Sequence, residues 1–394
     1  MTEPSTEIPA ADPANSMPPD EAPAPAAMTP AQLAEAKEYG QRQLVCTLLD
    51  KALDVVVLAV IALVIARPFD AWLVSSGIEN AWLRVACIYL GTLGLHEIVS
   101  FPLSFYAGYL LEHRYGLSKL SVGKWLRRHF KKLALLSVFT LLLTWGLFGV
   151  IWATGPWWWA VAGGLFFVLS IVVGQVVPVL IVPLFYKVER LEDAELSGRM
   201  KRLSEGTGLS IEGVYRLGLS EETVKANAML AGLGRTRRVL MGDTLLAGFS
   251  PDEIEVIFAH EIGHHVYGHI WKMILIGAAY TVAGFWLANQ VLAAWTGPGY
   301  DPRQLPPSAL PLLMLILTLF SLALEPLQNA LSRRFERQCD RYALTRTGLR
   351  AAYQSAFQKL AVLNKDDPDP HPLEVAWFHS HPPIRDRLAI AEEG

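Results

Sequence analysis

The sequence predicts a mainly α-helical fold, in which a polytopic membrane bundle carries a polar domain. The first observation is composition: 52% of the 394 residues are hydrophobic and only 18% are charged, whereas soluble domains average about 25% charged. The second is a set of six apolar stretches, each long enough to cross a hydrocarbon core of about 30 Å. The third is a pair of polar segments, at 183–269 and 329–394, that lie between and after these stretches.

The six predicted spans contain a few ionisable side chains, which a bilayer tolerates only inside the protein or beside water. Asp50 and Asp54 lie in the first span, and Glu325 lies in the last. His96 and Glu97, in the second span, are expected to form a satisfied polar pair in the bundle. We place the spans at about 44–66, 80–110, 133–153, 157–182, 270–295 and 309–328.

The first 30 residues are rich in proline, alanine and acidic residues and contain no lysine or arginine. They lack the basic start and the apolar run of a secretory signal, and they are too polar to bury a core. We therefore expect a disordered tail at 1–40, a transmembrane bundle of about four spans at 41–182, and a second domain at 183–394 that the last two spans interrupt.

Charge and cysteine content exclude two kinds of function. The formal net charge is −3, so no global basic field indicates a nucleic-acid partner. Cys46, Cys87 and Cys339 are scattered along the chain. This spacing argues against a disulfide framework and excludes a cysteine-based zinc site.

Loop charge predicts the orientation of the bundle. Seven basic residues between the second and third spans place that loop in the cytoplasm by the positive-inside rule. They are Arg114, Lys119, Lys124, Arg127, Arg128, Lys131 and Lys132. Counting spans then places the N-terminus and both polar segments on the same side. We expect a multi-pass protein of a bacterial inner membrane or of the endoplasmic reticulum. The sequence does not indicate an oligomeric state.

The polar segment at 183–269 contains a predicted β-hairpin and a predicted helix. Short apolar runs at Val224–Ala231 and Arg237–Thr244 flank a turn at 232–234 that contains two glycines. Ser250, Pro251 and Glu253 form the capping box and proline start of a helix. Apolar periodicity continues beyond it, so we expect this helix to run without a break into the fifth span.

The sequence His260-Glu261-Ile262-Gly263-His264 lies on that helix. Positions i and i+4 share one helical face, so both imidazoles can reach one ion. Glu261 lies about 100° round the helix, where it can take a proton from a water that the ion activates. This pattern favours a zinc-dependent hydrolase over a histidine cluster on a helix surface.

A catalytic zinc needs a third protein ligand. The HExxHxxGxxH pattern fails, because positions 267 and 270 are tyrosine and isoleucine. His265 and His269 point away from the motif face and are expected to face solvent or the membrane interface. Glu336 is a better candidate, with Asp340 one turn later to orient a ligating histidine. The alternative for this charged stretch is a solvated helix face.

The HExxH motif and the downstream NxxSRxxExxxD segment, from Asn329 to Asp340, together resemble the M48 peptidase family. This family includes the Ste24 type CAAX prenyl proteases and the HtpX type membrane proteases. The resemblance implies a zincin-like fold, one Zn²⁺ per chain and Glu336 as the third ligand. The family usually has alanine where this chain has Cys339, which we interpret as a packing substitution.

Four further segments resemble the Ste24 type more than the HtpX type. They are Leu111–Ser118 with Trp125, Pro183–Lys187, the hairpin with Asn227, Ala228, Gly234 and Asp243–Leu246, and His381-Pro382-Pro383 with Arg387. Ste24 proteases have seven spans, whereas this sequence predicts six. The resemblance therefore leaves the shape of any enclosed membrane chamber open.

The resemblance implies a membrane-embedded metalloendopeptidase that acts on peptides or membrane proteins, including lipidated substrates of the CAAX kind. An extended substrate is expected to pair with the hairpin edge at Asn227, Ala228 and Met229. His381, or alternatively His379, is expected to donate to the developing oxyanion. Arg387 is expected either to bind a substrate carboxylate or to hold the C-terminal helix.

Two other functions stay open at this stage. One is general quality control of membrane proteins, as in the HtpX type, and the other is a zinc-binding scaffold without hydrolysis. If the helix is continuous, His264 lies six residues before the apolar run at Ile270, about 9 Å along the axis. Such a site favours substrates already in the bilayer. We expect a water-filled entrance lined by the second, fifth and sixth spans, with His96, Glu97 and Glu325 among its groups.

Overall fold

Helices dominate the computed structural model, which describes residues 28–209, 211–232 and 237–393. Four long helical runs form the first half. They are α1 (Pro30–Val60) continued through a π turn into α2 (Ala66–Ser75), α3 (Ala81–Phe105) continued through a π turn into α4 (Glu112–Arg114), α5 (Val122–Thr154), and α6 (Trp158–Val176) continued through a π turn into α7 (Val182–Phe185).

The second half interleaves a small sheet with eight further helices. In chain order they are β1 (Val188–Arg190), α8 (Ala194–Ser204), β2 (Gly213–Leu217), β3 (Ala228–Ala231), β4 (Arg238–Gly242), α9 (Asp243–Gly248), α10 (Pro251–Val266), α11 (His269–Thr296), α12 (Leu310–Thr347), α13 (Arg350–Asn364), α14 (Pro372–Phe378) and α15 (Ile384–Glu392). The predicted fold class, a membrane helical bundle with a small sheet-containing domain, is confirmed.

Four helical runs of the described chain are long and apolar enough to cross a membrane. They are Ala81–Arg114, Val122–Phe185, His269–Thr296 and Pro307–Thr347. The second is 64 residues long and contains two predicted spans, separated by a 3-10 turn at Gly155–Trp157. Five of the six predicted spans therefore lie within these runs. The remaining one, at 44–66, lies on the helix α1–α2, which is not among the four.

Helix α1 begins earlier than the sequence predicts. Thr29 caps its first turn, Gln32 completes a capping box, and Pro30 occupies the first helical position. Residues 30–40, predicted as part of a disordered tail, are therefore helical, because these local signals outweigh the polar composition. The predicted tail up to residue 27 lies outside the described residues.

The bundle buries its own apolar core and links its helices through polar pairs. His96 bonds Asp54 on α1 at 2.6 Å, and Glu97 bonds His129 on α5 at 2.6 Å. Both residues are therefore satisfied within the bundle as expected, but not by each other, because adjacent residues on a helix point about 100° apart. Each of them instead ties α3 to a different neighbour.

The predicted β-hairpin is confirmed as part of a four-stranded sheet with the order β1-β2-β4-β3. Strands β3 and β4 are antiparallel and pair Ala228 with Met241, whereas β2 and β4 are parallel. The tip of the hairpin, including Gly234, lies outside the described residues. Strand β3 lies at one edge of the sheet, so no other strand of this sheet pairs with its outer side.

Helix α10 does not continue into the membrane as predicted. It ends at Val266, and Gly268 adopts a left-handed conformation with φ of 63° before α11 begins at His269. A glycine at this position ends a helix at little cost because it has no Cβ to clash. The estimate of 9 Å for a straight helix therefore does not hold, since the chain turns at Gly268.

The loop between α4 and α5 joins the bundle to the second half. Ser118 forms a β-bridge with Thr223, and the Lys119 amide donates to the Glu222 carbonyl at 2.8 Å. The basic residues predicted to face the cytoplasm thus lie at the same end of the molecule as the sheet domain.

Candidate metal centre

Helices α10 and α12 approach each other closely at Gly263. A Cβ at this glycine would lie 3.0 Å from Cα and 3.1 Å from Sγ of Cys339. No larger residue fits without separating the two helices, since real Cβ atoms rarely approach backbone so closely. This contact brings the motif on α10 against Glu336, one turn before Cys339 on α12.

Three predicted ligands converge at this crossing. His260 Nε2 lies 3.1 Å from Glu336 Oε2, and His264 Nε2 lies 3.3 Å from Glu336 Oε1. Zinc bonds of about 2.0–2.1 Å at a tetrahedral angle would put neighbouring ligand atoms about 3.3 Å apart. Glu336 Oε2 is also buried and has no hydrogen-bond partner within the described part of the chain. The donor set therefore fits a metal ion.

Cys339 is a second candidate ligand that the sequence spacing excluded. Its Sγ and one nitrogen from each of His260 and His264 lie within 4.8 Å of one another. The sulfur also lies 3.7 Å from His269 Nδ1, which itself is 3.2 Å from His264 Nδ1. The nearest ring nitrogen to the sulfur in these contacts is His269 Nδ1, whereas the Nε2 atoms of His260 and His264 converge on Glu336. A metal at the Nε2 atoms favours the carboxylate.

His260 is supported from behind by a buried network. Its Nδ1 bonds Asp340 Oδ1 at 2.8 Å, and Arg387 donates to Asp340 Oδ2 at 3.0 Å and to Oδ1 at 2.6 Å. A carboxylate that accepts from Nδ1–H leaves the Nε2 lone pair free for a metal. Burial lowers the pKa of His260, but the neighbouring carboxylates of Asp340 and Glu336 outweigh this and raise the pKa to about 9.

Arg387 lies at the inner wall of the site and only 7% of it is exposed. Its guanidinium stacks over the Phe357 ring at 3.8 Å while it bonds Asp340. Of the two predicted roles, this position favours holding the C-terminal helix against the metal centre over binding a substrate carboxylate.

His269 is buried, in contrast to the predicted exposed position. Its ring stacks on Phe335 with centroids 4.1 Å apart, and its Nε2 bonds Gln338 Oε1 at 2.9 Å. The prediction assumed a continuous helix, and the break at Gly268 turns this side chain towards α12. His265 is half-buried and contacts Arg237 at 2.6 Å.

A half-open cavity of about 610 Å³ lies in front of the two histidines. Glu261, Asn227 and Ala228 line it, together with His381 and Arg387. Met229 does not line it, because successive residues of a strand point to opposite faces. Helix α1 forms the facing wall through Gly40, Gln43, Leu44, Thr47 and Lys51. Glu325 also lines this cavity, whereas Glu97 lines a separate one and His96 lines neither.

His381 is held over the cavity by contacts that the sequence did not predict. Its Nε2 lies 3.6 Å from Glu336 Oε2. Asn329 donates to the Trp377 carbonyl at 2.6 Å, and Arg333 donates to the His379 carbonyl at 2.6 Å. The side chains of Asn329 and Arg333 thus fix the segment before His381. The His379 ring is instead 3.1 Å from Glu374.

This fold and site define a class of protein, a metal-dependent hydrolase of the membrane, because nitrogen and oxygen donors meet at a peptide-sized cavity beside membrane helices. Comparison with known proteins identifies the family to which the chain belongs. The M48 peptidase family matches residues 190–393, and the N-terminal domain of the CAAX prenyl proteases, described as five membrane helices, matches residues 13–187. The chain belongs to the M48 peptidase family and is a multi-pass membrane metallopeptidase.

Several named proteins are similar along most of the chain. The uncharacterized metalloprotease YhfN of Bacillus subtilis is 26% identical, covering 93% of this chain and 87% of YhfN. CAAX prenyl protease 1 of Saccharomyces cerevisiae is 29% identical, covering 77% and 71%. The crystal structure of S. mikatae Ste24p has a TM-score of 0.77 at 23% identity, and the match covers 92% of this chain and 89% of that chain. This likeness establishes a shared fold.

Proposed function

We propose that this chain hydrolyses peptide bonds with one zinc ion held by His260, His264 and Glu336. The observation that carries the proposal is the pair of 3.1 and 3.3 Å distances between Glu336 and the two Nε2 atoms, with the buried Oε2 lacking a hydrogen-bond partner among the described residues. When bound, zinc supplies an activated water and polarises the substrate carbonyl.

The remaining steps are assigned to side chains that line the cavity. Glu261 takes the proton from the attacking water and passes it to the leaving amine. His381 donates to the oxygen of the carbonyl as negative charge develops there. Asp340 and Arg387 act as positioning residues, because they hold the ring of His260 without reaching the substrate. Asn227 and Ala228 present the outer edge of β3, where an extended peptide gains backbone hydrogen bonds independent of its sequence.

We further propose that the substrates carry a membrane anchor, such as a lipid chain of the CAAX kind. An apolar groove of about 790 Å³ lies between α1, α12 and α14 and shares Lys51, Glu325 and Phe378 with the catalytic cavity. Leu48, Val56 and Leu373 line it and are 48%, 58% and 66% exposed. An apolar chain attached to a peptide in the cavity would be buried there. The names of relatives, which are CAAX prenyl proteases, agree with this.

The catalytic end is proposed to face the cytoplasm. The basic loop before α5 supports this orientation through the positive-inside rule, and its contacts with Glu222 and Thr223 give the sheet domain the same side. A cysteine introduced at Glu205 should then be labelled only from the cytoplasm, and one at Arg303 only from the other side.

The direct test is cleavage in reconstituted bilayers of two peptides that differ only in a prenyl group on one cysteine. Wild-type protein is expected to cut both and to prefer the prenylated one. Glu261→Gln is expected to keep its zinc and to cut neither, because the amide cannot accept the proton. Hydrolysis by this variant at the wild-type rate would show that another base operates. Cleavage by neither form, with zinc bound, would favour a scaffold.

A further inference from the structure

A cavity on the outside of the bundle is lined by a basic face of α5. Lys124, Arg127, Arg128 and Lys131 all line this space of about 390 Å³. Their spacing of three, four and seven residues puts them on one helical face. The other walls are the end of α7, at Leu184 and Phe185, and the loop that carries Glu221 and Glu222.

Two of these four cations are engaged by the protein itself. Arg128 forms an ion pair with Glu222 and lies over the Tyr186 ring at 4.7 Å. Lys131 donates to the Leu184 carbonyl at 2.6 Å and lies over the Phe185 ring at 4.9 Å. Lys124 and Arg127 are exposed, and neither has an ion pair with any residue that the structure describes. The cavity thus carries four positive charges against two carboxylates.

The surroundings of the cavity indicate its depth in the membrane. Phe130 and Leu184, beside the basic side chains, are 51% and 49% exposed. Further along α5, Leu136 and Val138 present apolar surface, with 49% and 62% exposed. The cavity therefore lies where an apolar helix surface changes to a basic one, which is the level of lipid headgroups.

We propose that this cavity binds the headgroup of an anionic phospholipid. The phosphate lies between Lys124 and Arg127, which supply a point charge and a planar pair of donors. The acyl chains pack on the exposed apolar surface around Phe130 and Leu184. Basic pockets between membrane helices on this side are typical sites for such headgroups.

The site lies at the joint between the two halves of the chain. Its walls are α5 and α7 from the bundle, and the 219–223 loop from the sheet domain. The same loop bonds Lys119 through the Glu222 carbonyl at 2.8 Å. A lipid phosphate that offsets the excess positive charge here stabilises the contact between bundle and sheet domain. The proposal is independent of the hydrolytic function.

The experiment uses the full-length protein in nanodiscs of phosphatidylcholine, with or without phosphatidylglycerol. Anionic lipid is expected to raise the unfolding midpoint, and native mass spectrometry is expected to retain a bound phosphatidylglycerol. Lys124→Gln with Arg127→Gln is expected to weaken this binding roughly 30-fold, from about 1 kcal/mol per basic residue. Each single change is expected to weaken it roughly fivefold, which keeps the test valid if the double variant fails to fold.

The matched control is Lys201→Gln with Arg216→Gln, which removes two exposed cations of the sheet domain that do not line this cavity. This control is expected to bind lipid as the wild type does. Equal loss in the control, or unchanged binding in the Lys124 and Arg127 variants, would overturn the proposal. Inorganic phosphate added to detergent-solubilised protein separates the two sources of phosphate: a shift of the same size would overturn the lipid assignment.

Discussion

The two halves of the chain arrange their charged side chains differently. In the catalytic half, Arg387, Asp340, His260 and Glu336 form one connected series of contacts between 2.6 and 3.1 Å. In the membrane half, three separate pairs each join two helices: Asp70 with Arg84, Asp54 with His96, and Glu97 with His129.

This difference indicates two purposes for charged groups that bond within the protein. A connected network fixes one geometry, and the loss of any member is felt by the others. An isolated pair only joins its own two helices, so its loss is expected to affect stability locally. Changes in the catalytic half should therefore alter metal binding and hydrolysis, whereas comparable changes in the bundle should leave both intact.

The largest effect is expected from a comparison of two glutamates on α12. Glu336→Gln removes a proposed ligand, so the purified protein should lose stoichiometric zinc and all hydrolysis. Glu325→Gln, eleven positions earlier on the same helix, breaks only the 2.8 Å pair with Lys51 and should keep its zinc. Elemental analysis measures the zinc content of both purified variants. A zinc-free Glu325→Gln protein would show that an isolated ion pair also controls metal binding, against the distinction between connected network and separate pair.

The next effect concerns the support behind His260. Asp340→Asn should weaken zinc affinity by about 10–100-fold, because the ring loses the carboxylate that orients it. The unfolding midpoint should also fall, since Arg387 stays buried without its anion. Competition titration with a zinc chelator measures the affinity. Asp386→Asn, at a more exposed carboxylate on the neighbouring helix, serves as the control and should bind zinc normally.

A smaller effect is expected at the crossing of α10 and α12. Gly263→Ala forces the helices apart at Cys339, at a cost of about 1–3 kcal/mol in the free energy of unfolding, and it should also weaken zinc binding. Gly277→Ala, in α11, meets nothing within 4 Å and should be neutral or slightly stabilising, because alanine favours helices. Chemical unfolding in detergent, with helicity as the monitored signal, distinguishes the two variants. Equal destabilisation by both would mean that close packing at Gly263 is not what assembles the site.

The smallest effect concerns the apolar groove. Val56→Trp partly fills it and should lower kcat/KM for a prenylated peptide by about tenfold relative to the plain peptide, as expected from about two lost methylene contacts. Val60→Trp, one turn further along and 46% exposed, should not change this ratio. If both variants leave the ratio unchanged, the groove takes no part in substrate selection. That result would not contradict the proposed hydrolysis of peptide bonds.

Local patterns in the sequence predicted the helix that carries His260 and His264, because Ser250, Pro251 and Glu253 are nearest-neighbour signals that act whatever the tertiary structure. The prediction of one continuous helix from Pro251 into the fifth span was wrong, because the apolar periodicity continues across Gly268 although glycine often ends helices. The partners of His96 and Glu97 could not be derived, since they lie on helices that only packing brings together.

The same limit explains what was missed at the site. Cys339 lies beside the histidines because two helices cross within contact distance at Gly263, and spacing within one helix carries no information about such a crossing. The roles of Asn329 and Arg333 in holding the segment before His381 depend on a return of the chain about 50 residues later. The Glu336 and Asp340 assignments rested on their i, i+4 spacing together with the family resemblance, and they stay predictions about function.

The central claim is that the metal is held by two histidines and Glu336, with Cys339 outside the ligand set. X-ray absorption at the zinc edge of the purified protein tests this directly, because a Zn–S bond is about 2.3 Å long and Zn–N and Zn–O bonds are about 2.0–2.2 Å. We predict that only nitrogen and oxygen atoms lie at bonding distance from the zinc, and that the spectrum is unchanged in Cys339→Ala. A sulfur shell at about 2.3 Å that disappears in Cys339→Ala would contradict it.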